Sequence, residues 1–261
     1  MSKRKNGATR SSESWDAVAD WYTGWVGARG SEHHRKLAIP AVLDLLGTVE
    51  GHEILDVGCG TAALARSVLK AGGKYTGVDA SRRLLAYARR HQGDVPRFIH
   101  ADATRLHEIV DLSSATFDAV VFLLSIQDID PLGTALESAA WALRRGGRMV
   151  ILMTHPCFRI PRQSGWGWDR GRQLQFRRID RYMTPLVVPM KSYGPHRRGA
   201  TRSHHRPLED YVAALARQGL LVEAVREIPA DDTIARGPAT KAERRARREI
   251  PLFMGLRAVK Q

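Results

Sequence analysis

The sequence predicts an α/β fold in which a mostly parallel sheet carries helices on both faces. Residues 54–57, I-L-D-V, have the apolar character of a buried parallel strand. Gly58-Cys59-Gly60 then supplies a tight turn, and residues 61–70 continue with apolar residues at helical spacing until Gly72-Gly73. Further apolar segments alternate with helical ones along the chain, which is the pattern of an α/β sheet.

The remaining elements are assigned in chain order. Aromatic residues at helical spacing predict a helix over residues 15–26, and the helix over residues 31–46 ends at Gly47. Asp130-Pro131 has the form of a helix start, and Gly146-Gly147 that of its end. We expect helices over residues 15–26, 31–46, 61–70, 130–145, 207–218 and 239–249, another after Ser81, and strands over residues 54–57, 74–79, 97–103, 117–125, 148–153, 186–188, 220–228 and 251–258.

Length and composition limit the organisation of the chain. Its 261 residues fit one α/β domain, residues 14–261, preceded by a disordered tail over residues 1–13. A segment of about 50 residues after the fifth strand, residues 155–206, is expected to be an inserted substrate lid.

Cys59 and Cys157 are the two cysteines, which indicates a reducing compartment. No membrane-spanning run or signal peptide is recognised, so the expected location is cytoplasmic, without a membrane partner.

The net charge of +14 raises nucleic acid as a partner. The positive charge is spread along the chain and consists mostly of arginine, so a nucleic-acid partner is not favoured. The oligomeric state is left open.

The turn after the first strand predicts a ligand site. Without side chains, Gly58 and Gly60 let a ligand approach the backbone, and the following helix directs free N–H groups towards it. About 20 residues further on, the second strand ends in Asp79, where an acid can accept hydrogen bonds from a ribose diol. Asp79 could instead cap the next helix, although Ser81 is equally suited to that role.

Two nucleotide-type ligands fit this pattern. Gly58, Gly60 and Ala63 formally meet the NAD(P) fingerprint G-x-G-x-x-G/A. The stretch D-V-G-C-G-T from Asp56, however, closely resembles the first motif of the class I, Rossmann-like S-adenosylmethionine-dependent methyltransferases of the small-molecule type, with Ala62 at the usual third glycine. Asp56 would repel a pyrophosphate but favour the ammonium and sulfonium groups of S-adenosylmethionine. The acid therefore favours the methyl donor.

The resemblance implies a seven-stranded, mostly parallel sheet whose last strand is antiparallel, and it also implies a donor site. Asp102, after the third strand, stands where the family accepts the adenine amino group. In the family a leading helix closes over the donor, which makes Tyr22 a candidate, although an aromatic stripe also fits a core. The predicted donor-binding residues are Tyr22, His34, Asp56, Gly58, Cys59, Gly60, Asp79, Ala80, Asp102, Ala103, Leu123 and Leu124.

The acceptor side is less defined by the sequence. The loop after the fourth strand, residues 126–129, is expected to lie between donor and acceptor. No [DN]-P-P-Y motif follows that strand, which disfavours methylation of adenine or glutamine amino groups. Aromatic residues and arginines in the inserted segment suit a planar or anionic acceptor, and equally a lid that packs on its own domain. The predicted substrate-binding residues are Gln127, Trp166, Trp168 and His205.

Methyl transfer is an in-line displacement for which positioning can supply most of the rate enhancement, so a catalytic residue is not obligatory. An acceptor of high pKa would need a base, and His155 is the candidate because it follows the end of a strand. A structural histidine in a His-Pro turn fits equally well. Cys157 as a nucleophile is disfavoured because the expected Pro-Cys pair after the fourth strand is missing. No metal site is predicted.

The sequence thus predicts a methyltransferase that acts on a small molecule, with oxygen, nitrogen, sulfur and carbon acceptors unresolved. The alternative enzyme is an RNA methyltransferase, which the positive charge favours. An NAD(P)-dependent oxidoreductase and a non-catalytic S-adenosylmethionine-binding protein are the alternatives from other classes.

Overall fold

The structure is a computed structural model that describes residues 9–191, 200–234, 237 and 239–261. Its helices are α1 (Thr9–Val26), α2 (Ile39–Leu46), α3 (Ala65–Lys70), α4 (Arg82–Gln92), α5 (Leu132–Ala142), α6 (Leu208–Arg217) and α7 (Lys241–Glu249). Its strands are β1 (Glu53–Val57), β2 (Lys74–Asp79), β3 (Arg97–His100), β4 (Phe117–Leu123), β5 (Leu143–Thr154), β6 (Ser164–Asp169), β7 (Leu174–Ile179), β8 (Leu186–Lys191), β9 (Ala200–His205), β10 (Leu220–Ile228) and β11 (Phe253–Lys260). Over these residues, no helix combines the length and the apolar character needed to cross a membrane.

A seven-stranded sheet forms the centre of the fold, with the strand order β3-β2-β1-β4-β5-β11-β10. The first five strands of this order, β3, β2, β1, β4 and β5, pair in parallel. β11 is antiparallel to both β5 and β10. The predicted Rossmann-like, mostly parallel sheet with an antiparallel last strand is confirmed. The strand order reverses at β1, which pairs with β2 on one side and β4 on the other. Ligands of open α/β sheets bind in the crevice at such a reversal.

The central strands are buried because their alternate side chains face two opposite helical layers. The buried apolar side chains form two core clusters. In β1, Leu55 and Val57 belong to the first cluster and Ile54 to the second. In β4, Phe122 and Val121 divide between the clusters in the same way. The sheet is thus held between two apolar layers, and the carboxyl ends of its parallel strands meet at one edge.

The chain between β5 and α6 forms two antiparallel hairpins outside the sheet, β6–β7 and β8–β9. β9 packs against α1 and against the 3₁₀ turn Ile126–Asp128, whereas β7 packs against α7. The strand expected at residues 186–188 is the beginning of β8. The β8–β9 hairpin is therefore the part of the insertion that lies against the carboxyl edge of the sheet, and the role of residues 155–206 as a substrate lid stays a prediction.

Several boundaries differ from the predicted ones; β3, for example, ends at His100 rather than at residue 103. Three of the differences have a clear physical reason. α3 begins at Ala65 rather than at residue 61, because Gly60 and Ala62 adopt left-handed backbone with φ of 55° and 56°. α5 ends at Ala142, because Leu143 already pairs with Phe117 and starts β5. Residues 9–13, expected within a disordered tail, belong to α1, which no glycine or proline interrupts before residue 24. Residues 1–8 of that tail lie outside the described residues.

Candidate functional site

The glycine turn after β1 is fixed between β2 and β4. The backbone N–H groups of Gly58 and Cys59 both donate to the carbonyl of Val78, at 2.8 and 3.0 Å. Gly58 has φ of 72°, and a Cβ atom there would lie 2.7 Å from Cβ of Ser125. The Ser125 hydroxyl in turn donates to the carbonyl of Val57 at 2.6 Å. The turn therefore requires glycine both for its conformation and for its contact with the end of β4.

Asp79 connects the glycine turn to the start of α4. Its Oδ2 accepts a hydrogen bond from the N–H of Gly60 at 2.8 Å, and its Oδ1 accepts one from the N–H of Ser81 at 2.7 Å. The N-cap of α4 is Ser81, whose hydroxyl accepts from the N–H of Leu84. Because Ser81 fills the capping role and each carboxylate oxygen can accept a second hydrogen bond, Asp79 suits a ribose diol.

Asp56 is a buried carboxylate with one unused oxygen. Its Oδ2 accepts a hydrogen bond from the Tyr75 hydroxyl at 2.6 Å, while its Oδ1 has no hydrogen-bond partner among the described residues. Burial raises the pKa of Asp56 to about 7, and the Tyr75 hydroxyl lowers it in part. A buried acceptor of this kind needs a donor or a cation beside it. The ammonium group of S-adenosylmethionine would supply one, so the residues present fit this ligand.

Tyr22 of α1 lies over the glycine turn, and its contact with the donor stays a prediction. A Cβ atom built on Gly60 would lie 3.3 Å from Cε1 of Tyr22. α1 is held in place at α4, where Oδ1 of Asp16 accepts hydrogen bonds from the hydroxyl of Ser81 at 2.5 Å and from the N–H of Arg83 at 3.1 Å. Burial, followed by the charges of Asp79, Asp128 and Asp56, raises the pKa of Tyr22.

The other residues predicted for the donor lie around the same edge. Asp102 accepts hydrogen bonds from the N–H and hydroxyl of Thr104 through Oδ1, at 2.9 and 2.8 Å. His34 is buried and shares a hydrogen bond with the Ser31 hydroxyl at 2.8 Å, and burial lowers its pKa to about 4. The ends of β1, β2, β3 and β4 carry the remaining ones, Cys59, Ala80, Ala103, Leu123 and Leu124. Their roles in donor binding stay predictions.

A pocket lies beside this edge, between the ends of β4 and β5 and the β8–β9 hairpin. Gln127, one of the predicted substrate-binding residues, contributes to its wall. Its Nε2 donates to the carbonyl of Leu124 at 2.7 Å, whereas its buried Oε1 has no partner within the described part of the chain. His205 also lines the pocket, and its Nε2 lies 2.6 Å from the carbonyl of Tyr182. The wall of the pocket also contains Pro156, Arg159, Pro161, Ser203, Arg206 and Tyr211.

The two predicted tryptophans lie on the other hairpin. Trp166 and Trp168 are on β6, with 38% and 44% of their surface exposed. The guanidinium groups of Arg159 and Arg177 lie 5.1 and 5.2 Å from the ring centroid of Trp166, within the range of cation–π contacts. Trp166 therefore touches the pocket through Arg159, and the contact of either tryptophan with a substrate stays a prediction.

His155, the predicted base, has both ring nitrogens in contacts with the protein. Its Nε2 lies 3.0 Å from Oε1 of Glu227, and its Nδ1 accepts from the N–H of Cys157 at 3.2 Å. The residue is 2% exposed, and its ring packs against Phe158 with centroids 4.7 Å apart. Burial lowers its pKa. This geometry favours the structural alternative over the catalytic one.

Replacing His155 by alanine is expected to lower the free energy of unfolding by about 1–3 kcal/mol, because a buried and hydrogen-bonded ring is removed. Donor affinity and turnover per folded molecule are expected to stay within about threefold of the wild type, since each 1.4 kcal/mol corresponds to a tenfold change. Thermal unfolding and assays at a temperature where the variant is folded would measure both. A turnover about 100-fold lower in the folded variant would restore His155 as the base.

Sequence analysis missed three residues that lie beside Gln127: Asp128, Ser203 and Arg206. Burial raises the pKa of Asp128 to about 7, and the hydroxyl of Ser203 and the charge of Arg206 lower it in part. The guanidinium group of Arg206 donates to the carbonyl of Ile129 at 2.8 Å and to Oδ1 of Asp130 at 2.9 Å. Asp128 lay in the loop that the sequence assigned to the site. Ser203 and Arg206 carried no local signal, since a tertiary contact of the hairpin brings them there. In the described ranges, no cluster of three or more His, Cys, Asp or Glu residues could hold a metal ion.

The fold and the site together define a Rossmann-like α/β domain with two buried carboxylates, Asp56 and Asp79, at its glycine turn. A family model described as a methyltransferase domain matches residues 55–151. The protein is also similar to a crystal structure of an S-adenosylmethionine-dependent methyltransferase from Mesorhizobium loti, with 26% identity and a TM-score of 0.66, over 85% of this chain and 96% of the other.

Two curated relatives match part of the chain. The ubiquinone biosynthesis O-methyltransferase of Alkalilimnicola ehrlichii is 30% identical over 115 residues, 44% of this chain and 47% of the relative. The demethylmenaquinone methyltransferase of Tropheryma whipplei is 33% identical over 121 residues, 44% of this chain and 48% of the relative. The chain thus spans about half the length of the curated relatives it matches. The matched methyltransferase domain and these relatives support a class I S-adenosylmethionine-dependent methyltransferase.

Proposed function

We propose that the protein transfers a methyl group from S-adenosylmethionine to a small-molecule acceptor that binds between the carboxyl edge of the sheet and the β8–β9 hairpin. The observation that carries the donor assignment is the buried Oδ1 of Asp56, which lacks a hydrogen-bond partner among the described residues and lies next to the glycine turn. A phosphate would be repelled there, whereas a cationic ligand is attracted. The bound donor supplies an electrophilic methyl group on a sulfonium.

The residues of this chain then bind and orient the donor. Asp79 accepts hydrogen bonds from the ribose hydroxyls, Asp56 pairs with the ammonium group, and Asp102 accepts from the adenine amino group. Tyr22 covers the glycine turn and excludes water from it. Fixing the donor in this way supplies the positioning on which an in-line displacement depends.

The pocket and the relatives support a small-molecule acceptor. The names of the two curated relatives refer to ubiquinone and demethylmenaquinone, which are small molecules. Pro156, Pro161 and Tyr211 give the pocket of this chain apolar walls that suit a ring. An RNA acceptor has the net charge of +14 in its favour, and it predicts binding that weakens steeply with salt.

Calorimetric titration of the protein with S-adenosylmethionine, S-adenosylhomocysteine and NAD(P)H tests the donor assignment. We expect micromolar binding of the first two ligands and none of the third. Binding of NAD(P)H alone would overturn the proposal, because the fingerprint of Gly58, Gly60 and Ala63 would then be the correct one. Donor binding combined with methyl transfer to any small molecule excludes a non-catalytic binding protein.

The affinity for the donor is expected to fall as the pH decreases through 7. Burial raises the pKa of Asp56 to about 7, so the side chain becomes neutral below this pH and loses its attraction for an ammonium group. The dissociation constant would then increase by up to about tenfold per pH unit below the pKa. Titrations at pH 8, 7 and 6 measure the effect. Because the donor has its own titrating amino group, Asp56→Asn is the control, and an identical pH dependence in that variant would contradict the assignment.

A further inference from the structure

Arg159 and Arg177 bring two guanidinium groups to the same indole ring. Their guanidinium carbons lie 5.1 and 5.2 Å from the ring centroid of Trp166. Arg159 follows β5 and lines the acceptor pocket, whereas Arg177 pairs with Trp166 across the β6–β7 hairpin. The cluster of Arg159, Trp166 and Arg177 therefore extends from the wall of the pocket to the hairpin beside it.

The protein holds both guanidinium groups through neutral partners. Nε and Nη2 of Arg159 each donate to a backbone carbonyl of residues 250–251, at 3.0 Å. Nε of Arg177 donates to the carbonyl of Phe158 at 2.8 Å, and its Nη2 donates to the hydroxyl of Ser164 at 2.9 Å. A guanidinium group has five N–H groups, so further N–H groups on Nη1 and Nη2 of each arginine are available to a ligand.

The positive charge of this cluster is not balanced by an acid. In the described part of the chain, neither guanidinium group forms an ion pair with a carboxylate. Burial, followed by the charge of Arg177, lowers the pKa of Arg159 to about 10, so the side chain is still protonated at neutral pH. Arg206 on the same pocket wall differs, because Oδ1 of Asp130 lies 2.9 Å from its Nη2. Two unbalanced guanidinium groups in partly buried surroundings favour an anion beside them.

The surroundings of the cluster indicate which kind of anion it suits. The N–H groups of an arginine match the two oxygens of a carboxylate. Pro156, Pro161 and Tyr211 line the same pocket and suit an apolar skeleton that carries this group. Because Arg159 is part of a pocket wall and is partly buried, the position favours a small anion over a polymer that binds along a surface.

We propose that Arg159 and Arg177 form the binding subsite for a carboxylate group of the acceptor. The inference rests on the proposed function and names the class of acceptor, a small organic acid. Its carboxylate is the anchor, since oxygens held in ion pairs are poor nucleophiles, and the methyl group goes to another atom of the molecule. Trp166 orients the two guanidinium groups through its ring. Both arginines determine specificity, because a neutral molecule of the same shape lacks the charge that they bind.

The test uses the full chain and compares organic acids with their neutral amides, benzoate with benzamide and naphthoate with naphthamide. We expect the wild type to bind each acid about 10–100-fold more tightly than its amide, because charge-assisted hydrogen bonds are lost with the charge. In Arg159→Gln and in Arg177→Gln, the affinity for the acid should fall to that for the amide, while the affinity for the amide stays within about threefold. Calorimetric titration at constant ionic strength measures both, at a temperature where thermal unfolding shows each variant to be folded.

Arg178→Gln is the matched control. Arg178 is the neighbour of Arg177 on β7, so its side chain points to the opposite face of the hairpin. It is 67% exposed and pairs with Asp180 at 2.8 Å. Removal of this charge should leave the preference for acids over amides unchanged, which separates the subsite from the general positive charge of the protein.

Three results would overturn the inference. The first is a wild type that binds the acids no more tightly than the amides, and the second is an equal loss of acid and amide affinity in both variants, which would assign the arginines a structural role. The third is tighter binding of inorganic phosphate or of a single-stranded oligonucleotide than of benzoate, lost in the same variants. The titrations are made with and without S-adenosylhomocysteine, so a missing preference for acids and a missing donor site are separate results. Failure of the wild-type protein to bind S-adenosylmethionine would overturn the proposed function itself.

Discussion

Asp79→Ala is expected to lower the affinity for S-adenosylmethionine by at least about 100-fold. A hydrogen bond to a charged group contributes about 1.5–3 kcal/mol, so two such bonds to a ribose diol account for more than 100-fold in the dissociation constant. The substitution also releases the N–H of Gly60, which Oδ2 of Asp79 holds at 2.8 Å, and thereby loosens the turn that the donor contacts. Calorimetric titration with S-adenosylmethionine and S-adenosylhomocysteine measures the change.

The same substitution leaves the buried N–H groups of Gly60 and Ser81 without their acceptor, at a cost of about 1–3 kcal/mol each. Thermal unfolding must therefore accompany the titration. Asp79→Asn keeps an amide oxygen for one of these groups and separates the loss of charge from the loss of structure. Asp111→Ala is the control for removal of an exposed carboxylate. A folded Asp79→Ala protein with wild-type donor affinity would remove Asp79 from the site.

The elements nearest the glycine turn could be predicted because their signals are local. β1 and β4 are mostly apolar because both of their faces are buried, and the positions of Gly58 and Gly60 are visible in the chain itself. The acids Asp56 and Asp79 lie at the ends of strands, and the carboxyl ends of parallel strands meet at one edge. From these features, the sequence predicts the parallel sheet and the edge where the site lies.

Long-range pairing explains the boundaries that sequence reasoning misplaced. Gly146-Gly147 has the form of a helix end. However, Leu143 pairs with Phe117 across the sheet, so β5 already begins three residues before Gly146. Such a pairing joins residues far apart in sequence, so no local pattern reveals it. The same limit applies to Ser203 and Arg206, which reach the pocket because β9 packs against the turn Ile126–Asp128.

The case of His155 shows a second limit. The sequence places it just after a strand at the correct edge, but adjacent residues of a strand point to opposite faces. Thr154 lines the pocket, whereas His155 turns towards Glu227 on β10. Position at a strand end identifies the region of a site, and the face on which each side chain lies decides which residues enter it.

Gly58→Ala is expected to lower the free energy of unfolding by about 2–5 kcal/mol and to weaken donor binding in parallel. Left-handed backbone costs a residue with a Cβ atom about 1–2 kcal/mol, and Gly58 has φ of 72°. The added Cβ would also lie 2.7 Å from Cβ of Ser125, so β4 or the turn must move, which adds about 1–3 kcal/mol. Denaturant unfolding and donor titration measure the two effects.

Gly51 separates these two costs. It has the same φ of 72°, but a Cβ atom there would meet nothing within 4 Å, so Gly51→Ala carries the conformational cost alone. The double variant Gly58→Ala/Ser125→Gly removes the clash from the other side. Relative to Ser125→Gly alone, which already lacks the hydrogen bond to Val57, it should lose about as much stability as Gly51→Ala loses relative to the wild type. If Gly58→Ala were no more destabilising than Gly51→Ala, the end of β4 would move away from the added Cβ atom at little cost in free energy. The turn Ile126–Asp128, which follows Ser125 directly, would then be held less tightly than its contact with the glycine turn suggests.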